Sequence, residues 1–254
     1  MINYPFSVNY YPVVRDPGDD RDFPYEKRDE ELLEHVDLRE FAGKIRNQVS
    51  LRSCSSEALV GAYEIILKKN YPDHYVNLSP LFVYYNARML EGRRSYIDAG
   101  VYIRDAIRAL KQYGVCAELT WPYNIENFSF QPTEESYKDA KKRTIKNYFK
   151  CRDFDDILDS LSSNVPVITS IKTYSNFSKL GWDGSAYLDI PDVRDFHIGG
   201  HAVCLVGYDK NHEKLIVRNS FGPGWADRGY FYIPFKYAEA NFMDSWVIEI
   251  DLLD

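Results

Sequence analysis

The feature that most constrains the fold of this 254-residue chain is a change in the period of its apolar residues. Between Ser55 and Gly114, three stretches repeat apolar residues at helical spacing, which predicts three successive helices. Later in the chain the apolar runs are short and separated by turn sequences, which predicts the strands "VPVITSIKT", "HAVCLVGYD", "KLIVRNS", "GYFYIPF" and "SWVIEID". Helices followed by strands predict an α+β chain, with a helical lobe at about residues 50–125, a mainly antiparallel β lobe at about 126–250, and a cleft between them.

Two stretches between the predicted helices and strands are polar. "EESYKDAKKRTIKNYFK" is rich in charge, and we expect a polar surface helix or an insert there. "DFDDILDSLSSN" has the pattern of one more short helix. Neither stretch changes the α+β assignment.

Residues 1–36 lack a helical or strand period and are rich in proline, aspartate and tyrosine. This composition predicts an extended segment, with a disordered tail as the simpler alternative. We expect the segment to lie on a folded body of residues 37–254, because it carries spaced apolar and aromatic side chains: Phe6, Val8, Tyr10, Tyr11, Phe23 and Tyr25. It does not open with the pattern of a signal peptide.

Charge and cysteine usage exclude several classes of partner and cofactor. The formal net charge of -7 argues against nucleic acid, and no apolar run is long enough to predict a membrane helix. The four cysteines are far apart and form no Cys-x-x-Cys pair, which argues against a zinc site and a disulfide scaffold. We therefore predict no metal or cofactor, reduced thiols, and a reducing, cytoplasmic compartment.

Three polar residues have the types and the order of a thiol-based catalytic site. Cys54 lies at the predicted start of a helix, where the backbone favours the thiolate. A thiolate nucleophile needs an imidazole, and His201 lies directly before an apolar strand and after two glycines, at an expected strand edge. Asn219 follows a buried strand and could orient the imidazole. Taken singly, each residue is also explained by packing or turn formation.

Four blocks give the chain a resemblance to the papain family of cathepsin-like cysteine peptidases. They are "VDLREFAGKIRNQVSLRSCSSEA", "GVCAELTWPYN", "GGHAVCLVGYD" and "VRNSFGPGWADRGYFYIP", of which the last two are the most specific. The front end, "RDFPY" followed by "VDLR", resembles the microbial and viral members with a short N-terminal segment. The resemblance implies a two-lobe papain-like fold whose β lobe is barrel-like, with the active site in the cleft.

The resemblance also implies roles for individual residues. It makes Cys54 the nucleophile, His201 its acid/base partner, and Asn219 the residue that orients the imidazole. Gln48 resembles the side-chain donor of the oxyanion hole, which acts on charge that develops in the transition state.

A second set is implied for binding and shielding. Trp225 resembles the indole that covers the asparagine–histidine bond, although Phe221 occupies the position where the family usually has tryptophan. Gly100 resembles the glycine whose backbone pairs with an extended substrate, with Ala99 in place of the family's first glycine. Gly200, directly before the histidine, completes the expected substrate-binding set.

The sequence departs from the family signature Cys-Gly-Ser/Ala-Cys-Trp around the cysteine. Leu51 replaces the first cysteine, so the family's disulfide there cannot form, and Ser55 replaces the tryptophan. Arg52 replaces glycine and adds positive charge beside the cleft. The other cysteines, Cys116, Cys151 and Cys204, are expected to be structural.

The sequence thus predicts a cysteine peptidase that hydrolyses peptide bonds in peptide or protein substrates through an acyl-enzyme. The N-terminal segment is expected to lie in or near the cleft and restrain activity, with a structural strap as the alternative. A catalytically inactive peptide-binding or partner-binding protein is the alternative function. Acyl transfer or cleavage of ubiquitin-like tails would use the same chemistry.

Overall fold

The computed structural model describes residues 11–20, 22–28 and 30–252. The predicted residues Phe6, Val8 and Tyr10 lie outside these ranges. Within them, the α-helices are α1 (Cys54–Asn70), α2 (Pro80–Leu90), α3 (Ile103–Tyr113), α4 (Glu134–Ala140), α5 (Phe154–Ser162) and α6 (Phe235–Asn241). The strands are β1 (Tyr11–Pro12), β2 (His35–Asp37), β3 (Arg143–Cys151), β4 (Val167–Tyr174), β5 (His197–Asp209), β6 (Lys214–Arg218), β7 (Tyr230–Pro234) and β8 (Phe242–Leu252).

The first three helices have the limits that their sequence predicts. Pro72 follows the end of α1, and the Ser79 hydroxyl caps α2 by accepting a hydrogen bond from the Phe82 N–H at 3.2 Å. Gly114 ends α3 with a φ of +78°. A Cβ at Gly114 would lie 1.9 Å from the Ala140 carbonyl oxygen, so only glycine fits this turn.

Six strands form an open sheet in the order β3-β8-β4-β5-β6-β7, and β1 and β2 pair with β5 beside this path. Neighbours along the path are antiparallel, whereas β1 runs parallel to β5. The predicted α+β class with an antiparallel β lobe is confirmed, with the difference that the sheet does not close into a barrel. In the described part of the chain β3 and β7 are the two ends of the path and do not pair to close it.

The stretch "EESYKDAKKRTIKNYFK" is not a single helix. Its first half forms α4, which packs on the helical lobe through ring contacts of Tyr137 with Phe82 and Tyr113. Its second half forms β3, paired with β8. Within β3 only Ile145 and Cys151 are buried, and the residues between them are half-buried or exposed. This pattern does not alternate, so the strand cannot be recognised from the sequence without its partner β8.

Helix α1 lies at the centre of the molecule and packs against β4 and β5. Every residue from Cys54 to Leu67 is buried, so the helix has no solvent-facing stripe over this stretch. Its two buried carboxylates, Glu57 and Glu64, consequently need partners inside the protein.

The described part of the N-terminal segment, from residue 11 onward, lies along the body. β1 pairs with Gly199 and Gly200, and β2 pairs with the other end of β5. Between them, the Tyr25 hydroxyl donates a hydrogen bond to Asp159 at 2.7 Å. Phe23 differs from the prediction, because its side chain is mostly exposed.

Candidate active site

Cys54, His201 and Asn219 come from three different elements and meet beside the sheet. Cys54 is the first residue of α1, His201 lies in β5, and Asn219 directly follows β6. His201 Nε2 and Asn219 Oδ1 are hydrogen-bonded at 2.8 Å. The sulfur of Cys54 accepts a hydrogen bond from the N–H of Ala202, the residue after His201, so the thiol lies against the histidine strand.

His201 is not at a strand edge, which corrects the prediction. β5 begins four residues earlier, at His197, because Gly199 and Gly200 pair with β4 on one side and β1 on the other. His201 itself pairs with Ile171 in β4. The paired glycines continue the strand where the sequence suggested a break.

Hydrogen bonds fix the orientation of Asn219. Its Oδ1 also accepts the N–H of Ser220 at 2.8 Å, so the amide oxygen points toward the imidazole. The oxygen can accept only a protonated Nε2, which leaves the lone pair of the neutral imidazole on Nδ1. That nitrogen is the one available to take a proton from a thiol.

Gln48 is buried and held at both ends of its amide. Its Oε1 accepts a hydrogen bond from the Ser220 hydroxyl at 2.6 Å, and its Nε2 donates to the Leu51 carbonyl at 2.7 Å. Its backbone N–H donates to the Ser220 carbonyl at 2.9 Å. Ser220 thus connects Gln48 to Asn219, a link that the sequence analysis missed although Ser220 lies in the quoted block "VRNSFG".

Burial dominates the acid–base state of the pair. Cys54 and His201 are each 1% exposed. Burial raises the pKa of the Cys54 thiol to about 11, although hydrogen bonds from the N–H groups of Ala202 and Ser55 act in the opposite direction. Burial also lowers the pKa of His201 to about 4, against the effect of Asn219. In this arrangement the pair is a neutral thiol and a neutral imidazole.

Aromatic rings enclose the imidazole, and their arrangement corrects the expectation for Trp225. Phe221 stacks on His201 with ring centroids 5.0 Å apart, and Phe177 lies on another side at 5.8 Å. Trp225 packs edge-on against Phe221 at 5.3 Å and is buried. Phe221 therefore takes the place next to the imidazole, while Trp225 supports it from behind and has no exposed face for a substrate.

The backbone of Gly100 is hydrogen-bonded within the chain. The N–H of Gly100 donates to the Tyr84 hydroxyl at 3.2 Å, and Tyr84 also bonds to Asp98. Asp98 accepts the Arg52 N–H at 3.1 Å and so ties the loop of Ala99 to the loop before Cys54. Tyr84 and Asp98 are not predicted from the sequence, because no motif marks them.

Gly200 faces the N-terminal segment. Its carbonyl accepts the Val13 N–H at 3.1 Å, and a Cβ at Gly200 would lie 2.1 Å from the Val13 carbonyl oxygen. Glycine at this position permits the close approach of the segment to the strand that carries His201.

Of the other cysteines, Cys204 lines a small cavity together with Asn219. All four cysteines are free and buried. Among the described residues, no three His, Cys, Asp or Glu side chains are grouped so that they could hold a metal ion. In the same part of the chain, no helix is long and apolar enough to cross a membrane.

A two-lobe α+β fold that brings a helix-start cysteine to a histidine–asparagine pair defines the class of papain-like cysteine peptidases, which are hydrolases. The family model described as "Papain family cysteine protease" matches residues 32–248. The chain therefore belongs to the papain family of cysteine proteases, which confirms the prediction from its sequence blocks.

Individual relatives agree with this assignment. The chain is 34% identical over 214 residues to a peptidase C1-like protein of Acanthamoeba polyphaga mimivirus, covering 80% of this chain and 68% of that protein. It is 27% identical to papain of Carica papaya, covering 92% of this chain and 65% of that protein.

Among solved structures, xylellain, a cysteine protease from Xylella fastidiosa, superposes with a TM-score of 0.86 at 30% identity. That match covers 94% of this chain and 96% of the xylellain chain. Procathepsin L 3 of Tenebrio molitor, at 19% identity and a TM-score of 0.73, shares the fold.

Proposed function

We propose that this protein hydrolyses peptide bonds with Cys54 as nucleophile, His201 as acid/base, Asn219 as the orienting residue and Gln48 as an oxyanion donor. The observation that carries the proposal is the 2.8 Å bond between His201 Nε2 and Asn219 Oδ1, with the Cys54 sulfur hydrogen-bonded to the next residue of the histidine strand. This arrangement leaves Nδ1 as the base on the side of the imidazole that Asn219 does not occupy.

The chemistry proceeds in two halves. His201 Nδ1 takes the thiol proton, and the Cys54 thiolate forms a bond to the substrate carbonyl carbon, which moves an electron pair onto oxygen. Gln48 Nε2–H and the Cys54 N–H stabilise that oxyanion. When the carbonyl re-forms, the C–N bond breaks and His201 gives its proton to the leaving amine, which leaves a thioester.

The second half releases the acyl group. His201 takes a proton from a water molecule, and the resulting hydroxide attacks the thioester carbonyl. The C–S bond breaks, a carboxylic acid forms, and the proton returns to the Cys54–His201 pair.

Substitution of the nucleophile tests the proposal. Cys54→Ala should lower kcat/KM for peptide-library substrates by on the order of 10⁴-fold, because removal of the nucleophile ends covalent catalysis. Cys116→Ala, at another buried cysteine, is the matched control and should stay near the wild-type rate. Hydrolysis by Cys54→Ala at the wild-type rate would contradict the mechanism. Peptide binding by the wild type without hydrolysis would support the inactive alternative.

We further propose that the N-terminal segment restrains this activity. Three observations support a restraint: the pairing of β1 beside His201, the Val13–Gly200 hydrogen bond, and the burial that keeps Cys54 and His201 neutral. Release of the segment would hydrate the pair, lower the thiol pKa and raise the imidazole pKa. Both changes favour the reactive thiolate.

Adjacent valines provide a matched test of the restraint. Val13 is 5% exposed and Val14 is 56% exposed. Val13→Glu should detach the segment and raise kcat/KM about tenfold, because it places a charge where an apolar side chain is buried. Val14→Glu should leave the rate unchanged. Equal rates for the two variants would leave the segment as a structural strap.

We infer that the substrates are peptides or proteins. We also infer that the protein works in a reducing compartment, which the four free, buried thiols support.

A further inference from the structure

One face of α1 carries a line of polar and small residues that begins at the nucleophile. Cys54, Glu57, Gly61 and Glu64 are spaced three, four and three residues apart, so they share this face. Gly61 lies against the Arg218 guanidinium, where a Cβ would be 2.3 Å from Nη1. Arg218 directly precedes Asn219 in the chain, and both residues line one cavity with Glu57 of this face.

The two carboxylates on this face have different surroundings. Glu64 Oε1 pairs with Arg46 and accepts the Leu78 N–H at 2.8 Å. Glu57 is 5% exposed, and its Oε1 has no hydrogen-bond partner in the described part of the chain. A buried carboxylate oxygen in this state is costly unless something else satisfies it.

A small cavity separates Glu57 from the catalytic asparagine. Its volume is about 10 Å³, about what one water molecule requires, and both Glu57 and Asn219 line it together with Ala202 and Cys204. Arg46 and Arg218 also line this cavity, and Asn219 Nδ2, Arg46 Nη1 and Arg218 Nε are buried donors that no described residue satisfies. One acceptor and three donors that lack partners thus belong to residues bordering the same water-sized space, and among the donors only the Asn219 amide is neutral.

We propose that Glu57 is a positioning residue, joined to Asn219 Nδ2 by one water in this cavity, which holds the asparagine with Oδ1 toward His201. The water accepts the Nδ2–H and donates to the Glu57 carboxylate. An amide fixed at Nδ2 by the water and at Oδ1 by the Ser220 N–H cannot rotate away from the imidazole. The inference rests on the proposed function, since it concerns the orientation of the acid/base residue.

The same link makes catalysis depend on the charge of Glu57. The pKa of Glu57 is raised to about 7, and burial is the largest cause. The charges of Arg46 and Arg218 act to lower this pKa, whereas those of Glu118 and Glu64 act to raise it. Cys204, which faces the cavity from β5, has a pKa raised by burial and stays a thiol near neutrality. The ionised carboxylate accepts at both oxygens and makes a charge-assisted hydrogen bond, so the water link strengthens as pH rises through about 7.

The pH dependence of kcat tests the role of Glu57. In the wild type kcat should rise with a midpoint near pH 7, and in Glu57→Gln, which cannot titrate, that midpoint should be absent. Glu57→Leu, which removes the acceptor, should lower kcat about tenfold with KM unchanged, because the asparagine orients the base and does not bind substrate. Ser56→Ala, at a buried hydroxyl of the same helix, is the control and should keep the wild-type profile.

Two outcomes distinguish a failure of the inference about Glu57 from a failure of the proposed function. If the wild type hydrolyses peptides and Glu57→Gln retains the same pH profile, the inference about Glu57 is overturned while the proposed function stands. If the wild type does not hydrolyse peptides and iodoacetamide does not alkylate Cys54, the proposed function fails.

If Glu57 only stabilises the fold, its variants should have a changed thermal stability while the pH midpoint of kcat stays in place. That result would also overturn the inference. Should Glu57→Gln fail to fold, the Asn219 side-chain amide signal of the wild type provides the reading by NMR. Its shift should follow a titration near pH 7, and a flat response contradicts the link.

Discussion

Ser220 connects the two halves of the candidate site through three hydrogen bonds. Its N–H donates to Asn219 Oδ1, its hydroxyl donates to Gln48 Oε1, and its carbonyl accepts the Gln48 N–H. One residue therefore sets the amide orientation of both the group that holds the imidazole and the group proposed to hold the oxyanion.

Ser220→Ala should lower kcat about tenfold with little change in KM. The substitution leaves Gln48 Oε1 without its donor, so the Gln48 amide loses part of its fixed position, while complete loss of an oxyanion donor costs about 10²–10³ in kcat. Steady-state kinetics on one peptide substrate measures both constants. Ser160→Ala, at a buried serine of α5, is the control. A change in KM alone would show that Ser220 acts on substrate binding.

At the scale of elements, β5 links the N-terminal segment to His201, the proposed acid/base residue. The segment enters through β1 beside Gly199 and Gly200, and it is then fixed to the body by a cluster of charged groups. The Asp16 N–H donates to Asp244 at 2.7 Å, and Trp246 Nε1 donates to the Asp16 carboxyl at 2.9 Å.

Ion pairs extend this attachment. Asp22 lies 3.0 Å from Arg104, and Asp19 lies 2.7 Å from Arg108. Both pairs join the segment to α3, which belongs to the helical lobe. The segment therefore contacts both lobes.

Asp16 should make attachment of the segment weaker as pH rises. Burial, and then Asp244, raise the pKa of Asp16 to about 7, whereas a detached Asp16 would titrate near 4. The attached state therefore holds a proton that the detached state releases between about pH 4 and 7, so attachment is strongest below this window and is weakened on rising through it.

Hydrogen exchange of residues 13–20, corrected for its intrinsic pH dependence, measures the attachment. In the wild type, protection should fall by about tenfold between pH 5.5 and 7.5. Asp16→Asn should remove this dependence, and Asp20→Asn, at an exposed position of the same segment, should retain it. The same slope in all three proteins would exclude Asp16 as its origin.

At the scale of the whole molecule, sequence patterns predicted the helices and most of the strands because their periods are local. The order of Cys54, His201 and Asn219, together with Gln48, predicted which residues would meet, since their blocks match a family whose chain path is shared. The division of α4 from β3 could not be predicted, because β3 is stabilised by its pairing with β8.

Other features depend on contacts between distant residues and have no local signal. The stacking of Phe221 on His201, in place of Trp225, follows from how the turn after β6 packs. The pairing of β1 with Gly199 and Gly200 joins positions almost 190 residues apart. The cavity lined by Glu57 and Asn219 likewise exists only once α1 packs against β5.

The central claim, covalent catalysis at Cys54, is tested most directly by mass spectrometry of the protein quenched with acid during turnover of a peptide ester. The account predicts an added mass equal to the acyl group, located on the peptide that contains Cys54 and absent in Cys54→Ala. Turnover without this adduct under conditions where deacylation is slow, or an adduct on Cys116, Cys151 or Cys204 in its place, would contradict it.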